Sequence, residues 1–346
     1  MPLKNEENNP EINYSFSKRA WILGGVFALI VVLILLFRAT FNVFLLILAG
    51  ALIAIYFRGL SSFIGQKTKW RSGICLAISM AGTLLIIFIL FWLIGARAQI
   101  QINEISDTLP ASIENAKSQL NKSVIGKSIV KKVSSPESLR DARGIISKFF
   151  QSTFGVFGDL YIILFLGIFF TLSPQIYIKG ILQLIPKNGQ KKAAEILSKL
   201  GMNLKKWLKG QIFAMFVVFI LTATGLLIIG MPMWFGLAII AGLLNFIPNF
   251  GPLIAMIPAI LVAFMQGPAT AAIVAGLYIF IQVLESNFIT PMVQQRLIKI
   301  PPALIIIAQL LMAPLTGGWG LVLATPLMVI LIVLVQDLYV RNENLQ

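Results

Sequence analysis

The chain has 346 residues, of which 58% are apolar and only 12% charged, at a mean hydropathy of +0.89; a soluble domain carries about twice that charged fraction. One cysteine, Cys75, and no histidine exclude an intrachain disulfide, His-ligated metals, Ser-His-Asp or Cys-His catalysis and His-based pH sensing. The formal charge of +15 sits in loops beside apolar runs, where Lys and Arg set topology and meet lipid headgroups, so the expected partner is the bilayer and not nucleic acid.

The start, MPLKNEENNPEINYSFSKR, is polar and has no small-residue cleavage site after the first apolar run, so that run is expected to stay in the mature protein. Apolar runs cover 21–37 and 41–57, separated at Arg38. With so short a connection they read as an antiparallel pair of spans, since about 20 residues of helix cross about 30 Å of hydrocarbon. The loop 58–71 holds Arg58, Lys67, Lys69 and Arg71 and no acid, and a third run covers 74–94. Residues 96–150 are polar, with Ile102, Ile105, Leu109 and Ile113 at helical spacing and a break at Ser134-Ser135-Pro136. This reads as a helical insert too short for a catalytic core of its own.

A fourth run, 154–172, ends at Ser173-Pro174. The loop 175–209 is strongly basic, with Glu195 as its single acid. Its stretch KKAAEILSKLGMNLKKWLKG can set Leu197, Leu200, Leu204, Trp207 and Leu208 against Lys192, Lys199, Lys205 and Lys206. It reads as an interfacial helix or as an ordinary cytoplasmic loop helix. A fifth run covers 210–230. The basic tail and the loops 58–71 and 175–209 then share the cytoplasmic side, and 96–150 faces outward. The expected organisation is a tail with three spans (1–95), an extracytoplasmic insert (96–150) and a transmembrane core (151–346) in a bacterial cytoplasmic membrane, with both termini inside.

The last third is different. Residues 234–265 are apolar but interrupted by Asn245-Phe246-Ile247-Pro248-Asn249-Phe250-Gly251-Pro252, with Pro258 beyond. That length is too great for one span and too small for two, and the Pro/Gly cluster cannot continue a helix. Two half-helices in a hairpin, one span unwound at its middle, or two short spans with a surface turn remain open. A run 269–284 leads into Glu285-Ser286-Asn287-Phe288-Ile289-Thr290-Pro291. A second broken segment, 301–335, carries Pro314-Leu315-Thr316-Gly317-Gly318-Trp319-Gly320 and Pro326. At an offset of 69 residues Pro232 matches Pro301, Phe250 matches Trp319, Gly251 matches Gly320 and Ala255 matches Ala324, a weak internal repeat. Paired Gly/Pro-interrupted segments are a sequence-level pointer to a transporter's binding region.

The strings NFIPNFGPLIAMIPAILVAF and ESNFITPMVQQRL, with Gly318-Trp319-Gly320-Leu321 and the closing ATPLMVILIVL, resemble the autoinducer-2 exporter family of bacterial membrane proteins. The resemblance extends to the layout of nearly the whole chain. It implies about eight hydrophobic segments and export of the autoinducer-2 furanone or, as in some members, sodium–proton exchange; from the residues themselves, without a Walker motif, a His or a convincing acid–base pair, no catalytic activity is expected. By resemblance Pro248, Gly251, Pro252 and Pro258 match the first family motif, and Glu285, Asn287 and Pro291 the second. Ile300-Pro301-Pro302 departs from the family, which usually has a polar residue, often His, before a single Pro.

An ionisable side chain inside a membrane is a functional candidate by default. Glu285 qualifies, with Gln282, Asn287 and Gln294 nearby. Asp159, at the start of the fourth span, reads more readily as a helix N-terminal acid. Unwound backbone around Asn245, Asn249 and Gly251, and around Gly317 and Gly320, could coordinate a solute or ion. The sequence therefore predicts an all-α polytopic membrane protein, its C-terminal segments broken by Pro and Gly. It acts as a secondary carrier for a small polar solute or, alternatively, as a cation–proton antiporter. No cofactor or metal is expected, no Walker motif offers ATP-driven transport, and homo-oligomerisation is open.

Overall fold

The structure, a computed structural model, describes residues 16–89, 92, 158–289, 291 and 301–340. The predicted 96–150 insert lies outside these, as do Gln294 and the end of ESNFITPMVQQRL. Every regular element among the described residues is helical. In chain order they are α1 (Phe16–Thr68), α2 (Ser72–Ile89), α3 (Gly158–Leu172), α4 (Pro174–Gln183), α5 (Lys187–Ile229), α6 (Trp234–Leu244) and α7 (Gly251–Gln266), then α8 (Pro268–Leu284) with a π turn at Glu285–Ile289, and α9 (Pro302–Val335) with another at Gln336–Val340. By length and apolar character five helices can cross a membrane, with α9 counted as one across its break at Gly317, or six if α3 and α4 count as one span; α6 and α7 are apolar but shorter. The expected count of about eight hydrophobic segments is not reached by the five or six candidate spans among the described residues.

The chain divides into two compact units, Met1–Phe44 and Leu45–Gln346. In the first, the described residues are helix with large apolar side chains such as Phe27, Ile34 and Leu36 exposed. Such a surface belongs in lipid. The antiparallel pair expected around Arg38 is not formed. Helix runs through 38–40, and the Thr40 hydroxyl donates to the Leu36 carbonyl one turn back (2.8 Å). A charged residue does not end a helix when neither Pro nor Gly is there to break its backbone.

In the second unit, the end of α1 packs on α3 through small residues. A Cβ on Gly50 would lie 2.8 Å from that of Leu166, and one on Gly167 would lie 2.6 Å from Ile53 Cγ2. Small residues let membrane helices approach this closely. Arg58 Nε donates to the Thr171 carbonyl (3.0 Å), and Ser79 on α2 to the Phe57 carbonyl (2.9 Å). At Ser173 the chain bends by 89° into α4, which begins with Pro174 and buries none of its residues.

The stretch that reads as an interfacial helix or a cytoplasmic loop helix is the first half of α5, continuous into the membrane run with no break at Gly210. Its apolar face, Leu204, Trp207 and Leu208, is buried in protein. Trp207 packs edge-on against Phe246 at 5.6 Å. The helix thus continues without a break into the bundle, with this face covered by protein.

The first broken segment is a hairpin. Its arms α6 and α7 hold 11 and 16 residues, roughly 16 and 24 Å, short of about 30 Å of hydrocarbon. At the tip Gly251 presses on the Leu244 carbonyl, where a Cβ would collide. At the base Gln266 Nε2 reaches back to the Gly230 carbonyl (3.1 Å). Ala255, Ala259 and Ala263, one helical turn apart on α7, are fully buried against Leu237 and Ala241 of α6 and Val274 and Tyr278 of α8.

The second broken segment also folds back. Gly317 (φ 65°, ψ −140°) interrupts α9, and a Cβ on Gly320 would run into the carbonyl of Met312. In an unbroken helix residues eight apart are about 12 Å from each other, so the arms on either side of Gly317 lie side by side.

Candidate functional site

The long helix α5 is a ruler along which both hairpins can be placed. The base of the first sits at Gly230, just past the C-terminal end of α5. Its tip reaches back to Gln211, whose Nε2 donates to the Asn245 carbonyl (2.6 Å), roughly 28 Å along the helix. The end of the second hairpin sits far toward the N-terminal end of α5, where Asp337 pairs with Lys199 at 2.6 and 2.8 Å. The two hairpins therefore enter from opposite ends. They meet where Gln309, on the first arm of α9, donates Nε2 to the Pro248 carbonyl at the tip of the other hairpin (2.8 Å).

At this junction the backbone has left the helix. Asn249 takes a left-handed conformation (φ 68°), Phe250 N–H turns back to the Pro248 carbonyl (2.9 Å), and Gly251 N–H to that of Ile247 (2.9 Å). Pro252 stands in the first turn of α7, where its missing N–H costs nothing. Gln211, Asn245 and Gln309 are buried, the last two completely. Both amide atoms of Asn245 and the Oε1 of Gln309 have no hydrogen-bond partner among the described residues, nor has the indole N–H of Trp207 beside them. Buried polar groups are normally paired, and an unpaired one costs about 1–3 kcal/mol. A concentration of them offers donors and acceptors without a charge, which is the chemistry that a neutral hydrogen-bonding guest would answer.

The remaining predicted residues lie as follows. Glu285 is almost wholly buried, in the π turn that ends α8 and packs on α5. Gln282 Nε2 reaches its Oε2 at 3.4 Å and Ser286 Oγ at 3.0 Å. Asn287 is exposed, with its amide turned to the Val283 carbonyl (2.8 Å), so it is not among the buried amides. Pro291 stands at the edge of the described residues. Gly317 and Gly320 build the second hairpin's reversal. Asp159, in the first turn of α3, accepts the Trp319 indole N–H at 2.6 Å, which ties the second hairpin to α3.

Sequence reasoning missed Gln211 and Gln309. Each is a lone amide at the start or in the middle of an apolar run, and the argument that singled out Glu285 applies to them: a polar side chain at membrane depth needs a reason.

A helical membrane chain with two opposed broken hairpins meeting at buried amides has the architecture of a transporter. The model of the AI-2E family transporter matches residues 26–339, and the chain belongs to that family. It is 30% identical over 168 residues to the "Putative transport protein YrrI" of Bacillus subtilis (strain 168), covering 48% of this chain and 47% of that protein. Two proteins of the same organism with the same designation, YueF and YdbI, are 28% and 29% identical over 144 and 136 residues, 42% and 39% of this chain and 39% of each of theirs. Each match takes in less than half of the relative's length.

Proposed function

We propose that this chain is a secondary transporter of the bacterial cytoplasmic membrane that exports a small polar solute, with the autoinducer-2 furanone as the first to test. The reading rests on the Asn245 amide and the Gln309 Oε1 at the junction of the hairpins, which have no hydrogen-bond partner among the described residues. A neutral set of donors and acceptors suits an uncharged guest, since a charge brought here would lose its hydration without gaining a counter-charge. Hairpins entering from opposite ends give the two gates that alternating access needs, because either tip can withdraw while the other stays seated.

Cation–proton exchange has thinner support. It needs a membrane carboxylate that can release its proton, and among the described residues Glu285 is the one buried candidate. Asp159 and Asp337 are engaged by Trp319 and Lys199, and Glu195 is exposed. The deciding experiment is flux from proteoliposomes of the purified protein loaded with autoinducer-2 under an imposed proton gradient. Solute release that falls in Asn245→Leu and Gln309→Leu supports the proposal. Sodium-dependent proton flux without solute movement, abolished by Glu285→Gln, would replace it with antiport.

A further inference from the structure

Beside the amide junction, across Phe246, lies a cavity of about 470 Å³ bounded by α1, α2, α3, α5 and both hairpins. Its wall includes Leu208, Phe246, Trp319 and Leu323, with Tyr56 and Thr83 as the two hydroxyl residues. The residues at its margin, Leu84, Ile86, Ile87, Leu160 and Ile212, are apolar and exposed on the outside of the bundle. In a membrane helix such faces meet hydrocarbon, so a guest arrives sideways from the bilayer and not through water.

The polar corner of the cavity has a direction. Thr83 Oγ1 donates its one proton to the Ser79 carbonyl (2.7 Å). In the contact between Tyr56 and Thr83 (3.2 Å) the phenol must then be the donor. Its oxygen keeps acceptor capacity and has no proton to give. The other polar atom on the wall, the Trp319 indole N–H, is committed to Asp159. The corner therefore accepts hydrogen bonds and does not offer them.

We propose that this cavity binds a lipophilic alcohol drawn from the bilayer, its hydroxyl donating to Tyr56 and its apolar body filling the space between the hairpins. A 150 Å³ cavity holds benzene, or about 25 Å³ per carbon, so the guest has on the order of 15–20 non-hydrogen atoms. An alkane of that size fits but leaves Tyr56 unanswered. A ketone or ester brings an acceptor to an acceptor. The site is separate from the amide junction, and neither stands or falls with the solute that the other carries.

The test is scintillation-proximity binding of tritiated 1-tetradecanol to the full chain in lipid nanodiscs, with unlabelled 1-tetradecanol, 2-tetradecanone and tetradecane as competitors. Saturable binding is expected, with the ketone and alkane weaker by about tenfold, the size of one net hydrogen bond. Tyr56→Phe should erase that preference while the alkane still competes. Thr83→Val removes the phenol's acceptor, so the Tyr56 proton turns into the cavity and the ketone should gain on the alcohol. Leu323→Trp should fill the space and abolish all binding. Absence of saturable binding to the unmodified chain, or a tenfold alcohol preference that survives Tyr56→Phe, would overturn the proposal. So would an unchanged ranking in a folded Thr83→Val protein.

Discussion

The two glutamines that hold the hairpin tip make the same kind of bond, yet replacing each by Leu should have opposite consequences. Gln211 is the one donor that the Asn245 carbonyl has among the described residues. In Gln211→Leu that carbonyl is left buried and bare. The Pro248 carbonyl, by contrast, already accepts from Phe250 N–H, so Gln309 is its second donor. Removing Gln309 also removes its own unpartnered Oε1.

Interhelical hydrogen bonds in membrane proteins average about 0.6 kcal/mol, and a stranded buried carbonyl adds toward about 1–3 kcal/mol. Gln211→Leu should therefore destabilise by about 1–3 kcal/mol. In Gln309→Leu the lost bond is offset by the lost orphan, leaving a change within about 1 kcal/mol of zero. Transport should rank the other way, because the buried Oε1 of Gln309 has no partner among the described residues and faces the junction. Thermal unfolding in detergent gives the first comparison and solute flux per folded molecule the second. If Gln309→Leu is the less stable of the two while its flux per molecule is intact, Gln309 is a structural strut and the junction is not the binding site.

At Gly317 the backbone is in a region that only glycine occupies without strain, so Gly317→Ala should cost about 1–3 kcal/mol, seen as a lowered unfolding temperature. Trp319→Phe takes the indole donor from a partly accessible Asp159 and should destabilise by about 1 kcal/mol, while Asp159→Asn, which keeps an acceptor, should lose less on the same assay. The Lys199–Asp337 pair is partly exposed (33% and 13%). Asp337→Asn should shift stability by no more than about 1 kcal/mol, and less again in high salt.

The broken segments were legible because their signal is backbone chemistry. Pro248, Gly251 and Pro252 forbid a continuous helix wherever they fall, and the length arithmetic left few ways to accommodate them. Arg38 misled because a charge was taken for a boundary, although residues 38–40 hold nothing that stops a helix. The amphipathic stretch before Gly210 stayed open for a different reason. Periodicity shows that Leu204, Trp207 and Leu208 share a face, but not whether lipid or Phe246 covers it. Glu285 stood out by its charge and is indeed buried, yet the amides that gather at the junction come from positions up to 98 residues apart (211 to 309). No local pattern connects them.

The offset of 69 residues gains physical content from Gly251 and Gly320. Each opens the second arm of its hairpin, and each is pressed against the last turn of the first arm, Gly251 on Leu244 and Asn245, Gly320 on Met312 and Thr316. The alanines four residues on, Ala255 and Ala324, are both fully buried. If the hairpins are two versions of one device, Gly→Ala should be damaging at both positions, because the obstacle in each is a backbone carbonyl that cannot turn aside. Overpacking of that kind costs about 1–3 kcal/mol or more. At Gly320 part of the crowding comes from the Thr316 hydroxyl, a side chain. Adding Thr316→Ala to Gly320→Ala should therefore recover some stability but not all, since Met312 remains in the way. Full recovery in the double variant would mean that the second reversal is held by a side chain alone. The match with Gly251 would then be coincidence of sequence and not of structure.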